Sequence, residues 1–143
     1  MSRPKDVLLL GAYGLAGEAI LRALVGTGVS VTAAGRNEHK LLAAIQGVKE
    51  RVPGADVQSA VFDPQDANAL RSELSETRVV INAVGPYLDH GEAIAKKAIE
   101  TTTHYIDIAS KQVHYRKVKE LSADAASAGA GWWAAANGSV LRV

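Results

Sequence analysis

The stretch Val7–Ile20, VLLLGAYGLAGEAI, decides how the rest of the chain is read. An apolar run, Val7 to Leu10, breaks into Gly11, Gly14 and Gly17. Apolar residues then resume at helical spacing through Ala16, Ala19, Ile20, Ala23 and Leu24. The pattern predicts a strand, a glycine-rich turn and a helix over 15–25. Such a turn serves one of two ends. It is a tight corner with no ligand, or it is a cradle where helix-end N–H groups meet a phosphate. The spacing is G-x-x-G-x-x-G, one residue looser in its first turn than G-x-G-x-x-G, so context has to decide.

Downstream, strands and helices alternate. VSVTAA (29–34) is β-branched and reads as a strand. Asn37 is an N-cap candidate for a helix carrying Leu41, Leu42, Ile45 and Val48, which Pro53 and Gly54 stop. A third strand covers 56–62, and a short helix follows Asp63-Pro64 through Ala67, Leu70 and Leu74. RVVIN (78–82) is a fourth strand. A helix follows over 92–99, then a fifth strand, YIDI (105–108), a helix over 111–127, and a sixth strand over 132–136. Strands apolar on both sides, alternating with amphipathic helices, imply a parallel sheet covered on both faces. Right-handed crossovers make it an α/β doubly wound sheet, a single three-layer Rossmann domain spanning 1–143 with strand order 3-2-1-4-5-6. Its ligand crevice lies between the carboxyl ends of strands 1 and 4.

Composition narrows the function. The chain has 143 residues, enough for one domain with a core. Its net charge is +1 with both signs interspersed, which argues against nucleic acid and anionic membrane partners. There is no cysteine, so thiol chemistry, disulfides and zinc–thiolate sites are excluded. The apolar run after MSRPKD is too short for a signal sequence, and no segment reaches membrane-spanning length, so a cytoplasmic location is expected. His39, His90, His104 and His114 are scattered without ligand spacing, so no metal is expected.

The strand ends carry the candidate site. Strand two ends in Gly35-Arg36 with no acidic residue before it. An arginine here suits the 2′-phosphate of NADP, where a carboxylate would suit the ribose of NAD, so NADP is preferred. Asp63, closing strand three, is either an adenine contact or a turn residue before Pro64. Gly85, after Asn82 at the end of strand four, would let a ribose or nicotinamide lie against the backbone. Asp107 and Ser110, at the end of strand five, are the candidates for substrate chemistry, with strand-end capping as their alternative; no catalytic residue is assigned. Tyr115-x-x-x-Lys119 matches the pair of short-chain dehydrogenases, but its distance from strand four is wrong for that family.

Three segments together, VLLLGAYGLAGEAI, VTAAGRNEHKL and VVINAVGPYLDHGEAIAKKAIETTTHYIDIAS, resemble the NADP-binding domain of the saccharopine dehydrogenase-like family over about Val7–Ala128. The resemblance implies an oxidoreductase that transfers hydride to an imine or enoyl substrate. It implies that Gly11, Tyr13, Gly14, Leu15 and Gly17 form the pyrophosphate loop. Arg36 becomes the 2′-phosphate contact, and Ala83, Val84 and Gly85 the contacts near the nicotinamide-side ribose. Family members continue into a substrate domain. This chain ends GWWAAANGSVLRV, which reads as the start of a sixth strand that then stops, with Trp132 and Trp133 as an exposed apolar patch. The expectation is a cofactor module completed by a separate substrate domain or by dimerisation through the open edge. The alternative is a non-enzymatic NADP-binding redox sensor or scaffold.

Overall fold

The computed structural model describes residues 3–84, 87–108, 120–136 and 139–142. In chain order the elements are β1 (Lys5–Leu10), α1 (Leu15–Val25), β2 (Val31–Gly35), α2 (Glu38–Arg51), β3 (Val57–Val61) and α3 (Ala67–Ser75). Then come β4 (Thr77–Asn82), α4 (Tyr87–Glu100), β5 (His104–Asp107), α5 (Ser122–Ala128), β6 (Trp132–Ala136) and β7 (Ser139–Arg142). The strands form one seven-stranded sheet in the order β3-β2-β1-β4-β5-β6-β7. Every pairing is parallel except β6 with β7, which is antiparallel. The expected order is therefore present, with one more strand on its edge.

The apolar runs explain the layers. Successive residues of a strand point to opposite faces, so a strand buried on both sides is apolar throughout. In β1, Leu8 and Leu10 join Val80, Tyr105 and the inner sides of α3 and α4 (Leu70, Leu74, Ile94, Ala95, Ala98). Val7 and Leu9 join Val31, Ala33 and the inner sides of α1 and α2 (Leu21, Val25, Leu41, Ile45, Val48). Each fully buried leucine contributes about 1.5–3 kcal/mol, so β1 is the axis of both cores.

The helix starts follow local chemistry. Asn37 Oδ1 accepts from the Lys40 amide at 3.0 Å and caps α2. Asp66 Oδ1 accepts from the Asn68 and Ala69 amides at 3.1 and 3.2 Å and caps α3.

The tail corrects the sequence reading. It does not stop inside the sixth strand: β6 is a five-residue strand and β7 returns beside it, with Ala136 paired to Ser139. The two residues between them are Asn137 and Gly138, the usual sequence signature of a two-residue hairpin. The edge of the sheet is thus β7 rather than β6. The side chains of Trp132 and Trp133, and with them the expected apolar patch, fall outside the described residues.

The amino ends of the strands are tied together by charge. The Arg3 guanidinium donates to Leu74 O at 3.0 Å, Thr77 O at 2.7 Å and Thr103 Oγ1 at 2.9 Å, and also to Thr101 O. Lys5 Nζ lies 2.9 Å from Glu73 and 3.2 Å from Glu76.

Candidate nucleotide-binding site

The glycine turn occupies the carboxyl end of β1. Gly11 has φ +76°, a left-handed conformation that a side chain would strain. A Cβ there would also stand 2.9 Å from Ala83 O, so the β4 loop passes directly against the turn. At Gly17 an added Cβ would overlap the Gly11 carbonyl oxygen, so α1 packs on the turn with no space between them. Gly11 N donates to Ala34 O at 3.1 Å and Gly14 N to Gly11 O at 3.1 Å, which closes the turn onto β2.

What this turn leaves open is informative. Gly14 is the N-cap of α1 and supplies no side-chain cap. The first-turn amides of a helix need an outside acceptor, and a phosphate is well suited to that place. Gly14 and Ala16 are exposed, and Leu15 is 95% exposed at the tip of the turn. The residues present therefore fit a dinucleotide pyrophosphate: close backbone approach, uncapped donors and an open surface.

At the end of β2, the Tyr13 ring packs directly against Gly35. A Cβ on Gly35 would overlap the ring, and the Asn37 amide donates to the Tyr13 hydroxyl at 3.2 Å. Arg36 is exposed between these residues, with no ion pair among the described residues. The Lys40 ammonium lies 6.0 Å from the centre of the Tyr13 ring. Two cations thus stand at the positive end of α2, where the helix dipole disfavours them. An anion bound between them removes that conflict. The sequence reading missed Lys40. Its signal was a lysine three residues after an N-cap, on the wrong end of a helix.

Asp63 is exposed, and its Oδ1 accepts from the Gln65 amide at 2.9 Å. Its turn role is therefore satisfied, and its other oxygen faces no partner among the described residues. The opposite wall is built by β4. Ala83 N donates to Leu10 O at 3.0 Å, and Val84 N to Asn82 Oδ1 at 3.0 Å. Asn82 Nδ2 donates to the Tyr105 hydroxyl at 3.1 Å, and both residues are buried. Sequence reasoning did not single out Asn82 or Tyr105 for the site, because their contact spans 23 residues.

The structure brings Gly11, Tyr13, Gly14, Leu15, Gly17 and Arg36 to one side of the crevice, and Ala83 and Val84 to the other. Asp107 is fully buried at the carboxyl end of β5, on the Tyr105 face and in register with Asn82. Gly85, Pro86, Ser110, Tyr115 and Lys119 lie outside the described residues. Two of the described histidines have separate partners: His90 meets Gln65 at 3.0 Å and His104 Nδ1 accepts from the Gly131 amide at 2.8 Å, while His114 lies outside the described residues. Among the described residues no group of His, Asp or Glu could hold a metal ion, and no helix is long and apolar enough to cross a membrane. A second hollow, an open groove of about 790 Å³, lies at the other end of the sheet and is lined by Val7, Val29, Arg78 and His104. It lacks a glycine turn and an uncapped helix start, so the chemistry assigned to the crevice has no place there.

Comparison with known proteins agrees with this geometry. The family model for the saccharopine dehydrogenase NADP binding domain matches residues 7–132. A lipid droplet localized protein of Caenorhabditis elegans is 34% identical over 122 residues, which cover 80% of this chain and 28% of that protein. A saccharopine dehydrogenase-like oxidoreductase of Bos taurus is 27% identical over 138 residues, 85% of this chain and 32% of that one. Among solved structures, apo saccharopine dehydrogenase (L-Glu forming) of Saccharomyces cerevisiae superposes with TM-score 0.74 at 24% identity, over 91% of this chain and 26% of that one. A metagenomic short-chain oxidoreductase in complex with NADP superposes with TM-score 0.72 at 17% identity, over 96% of this chain and 82% of that one. The chain thus spans about 30% of the length of these two curated relatives. With a glycine turn, an arginine at the end of β2 and a family model over most of its length, the chain belongs to the saccharopine dehydrogenase NADP-binding domain family, and its cofactor is NADP.

Proposed function

We propose that this domain holds NADPH across the carboxyl ends of β1 and β4 and presents it to an imine or enoyl substrate. Gly11, Tyr13, Gly14, Leu15 and Gly17 receive the pyrophosphate, and Arg36 the 2′-phosphate, joined by Lys40. Asp63 lies on the adenine side. Ala83, Val84 and Gly85 line the nicotinamide-side ribose. The observation that carries this reading is the uncapped start of α1 beside an exposed Arg36 with no ion pair among the described residues. When bound, NADPH supplies a hydride. The chain's own part is to bind, to orient and to close one side of the crevice against water.

Residues 1–143 act as one cofactor domain in this reading. The substrate-binding part comes from polypeptide outside these residues or from a partner, which the short share of the relatives' length supports. A cytoplasmic location is a separate part of the proposal; one relative is named for lipid droplets and another is named a probable mitochondrial oxidoreductase.

The test is a parallel titration with NADPH and NADH. NADPH is expected to bind at least about ten times more tightly, and Arg36→Ala to reduce that preference to the few-fold that Lys40 supplies while leaving NADH unchanged. Equal binding of both cofactors by the wild type, or a preference undiminished in the variant, would refute the assignment of Arg36.

A further inference from the structure

We infer that Asn82 and Tyr105 are positioning residues that set the nicotinamide-side wall of the crevice, an inference that rests on the cofactor site proposed above. Asn82 is fully buried at the end of β4, and Tyr105 is 1% exposed in the middle of β5. Tyr105 belongs to the apolar layer of Leu8, Leu10, Val80 and Ile94. A polar pair beside that layer costs desolvation, and an apolar pair would pack there without that cost. What the polar pair adds is direction. The Tyr105 hydroxyl accepts from Asn82 Nδ2 at 3.1 Å, which fixes the amide so that Oδ1 faces the chain beyond it. Oδ1 then accepts from the Val84 amide at 3.0 Å.

The backbone it fixes is the part that meets the glycine turn. Ala83 N is held by Leu10 O at 3.0 Å, and the Ala83 carbonyl lies where a Cβ on Gly11 would touch it. Ala83 and Val84 are therefore pinned from the β1 side by a strand hydrogen bond and from the β5 side by the buried pair. Without the Tyr105 hydroxyl, Asn82 Nδ2 has lost an acceptor inside the protein, and its amide is freer to turn away from Val84. The consequence is local. The opposite side of the crevice, with Tyr13, Arg36 and Lys40, is held by different contacts.

That locality supplies the test. The wild type and Tyr105→Phe are titrated by calorimetry with NADPH and with adenosine 2′,5′-bisphosphate, which carries adenosine, the 2′-phosphate and one phosphate of the pyrophosphate but no nicotinamide half. NADPH affinity is expected to fall roughly 3- to 10-fold in the variant, with adenosine 2′,5′-bisphosphate affinity unchanged. A loss of folded protein would weaken both ligands alike, so the ratio of the two affinities isolates positioning from stability. Should Tyr105→Phe not fold, Asn82→Ser removes the donor of the same hydrogen bond and is expected to give the same split. Equal weakening of both ligands, or no weakening of either, overturns the inference while leaving the site intact. Absence of NADPH binding by the wild type overturns the site and the inference together.

Discussion

The two ends of the sheet are built on opposite principles. At the amino ends of the strands, donors and acceptors are paired with one another. Arg3 binds Leu74, Thr77, Thr101 and Thr103, and Lys5 stands between Glu73 and Glu76. At the carboxyl ends, α1 begins without a side-chain cap, Leu15 is almost wholly exposed, and Arg36 has no ion pair among the described residues. One end closes the fold, and the other leaves its hydrogen-bonding capacity for a ligand. A domain that satisfied both ends internally would be more stable and would have no site.

This contrast breaks if changes at one end act like changes at the other. Gly17→Ala has the largest expected effect. The added methyl overlaps the Gly11 carbonyl, so α1 must move off the turn. NADPH binding should become undetectable by calorimetry, with a stability loss of about 1–3 kcal/mol in urea unfolding from overpacking. Arg3→Ala is its counterpart at the closed end. Four acceptors lose their shared donor, which should cost about 2–3 kcal/mol in the same unfolding assay while leaving the NADPH dissociation constant of the folded protein unchanged.

Lys40→Ala sharpens the contrast further. It should weaken NADPH about 3- to 5-fold and leave NADH unaffected, because an exposed cation near a phosphate adds a modest charge-assisted contact. It should not lower stability, since a lysine at the start of α2 opposes the helix dipole. The smallest effect belongs to Asp6. The Ser30 amide donates to its carboxylate at 3.0 Å and the Ser30 hydroxyl at 3.2 Å. The first of these bonds is the main reason that its pKa lies below the ordinary 3.8, with partial burial opposing the shift and Arg78 adding to it. A depressed folded pKa gives stability that is present above the unfolded pKa and is lost as pH falls through the folded one. Asp6→Asn should therefore lower stability slightly near neutrality and flatten the fall of the profile below about pH 4, as read by thermal unfolding across pH.

Much of this architecture was legible because its signals are local. The run of Val7 to Leu10, the glycines after it and the Asn37 cap each declare their own element within a few residues. The strand order follows from crossover handedness once the elements are known. Arg36 was singled out for the same reason, since it stands at the end of a strand. The rest depends on register. Tyr13 reaches the Asn37 amide across 24 residues, and Asn82 reaches Tyr105 across 23; no pattern in either segment announces the other. Strand β7 was a different failure. Asn137-Gly138 is a local hairpin signal, but the tail was read as the start of a sixth strand that then stops, so no further strand was expected after it. Asp107 reads from the sequence as a candidate for substrate chemistry or as a strand-end cap, and its burial depends on packing that no local pattern announces.

The most direct test of the account is to follow backbone amide resonances while adding NADPH and, separately, adenosine 2′,5′-bisphosphate. The account predicts that NADPH shifts the amides of Leu15, Ala16 and Gly17, of Arg36 and of Ala83 and Val84. The adenosine fragment should shift the first two groups and leave Ala83 and Val84 in place. Shifts confined to Val29, Arg78 and His104, at the closed end of the sheet, would contradict it.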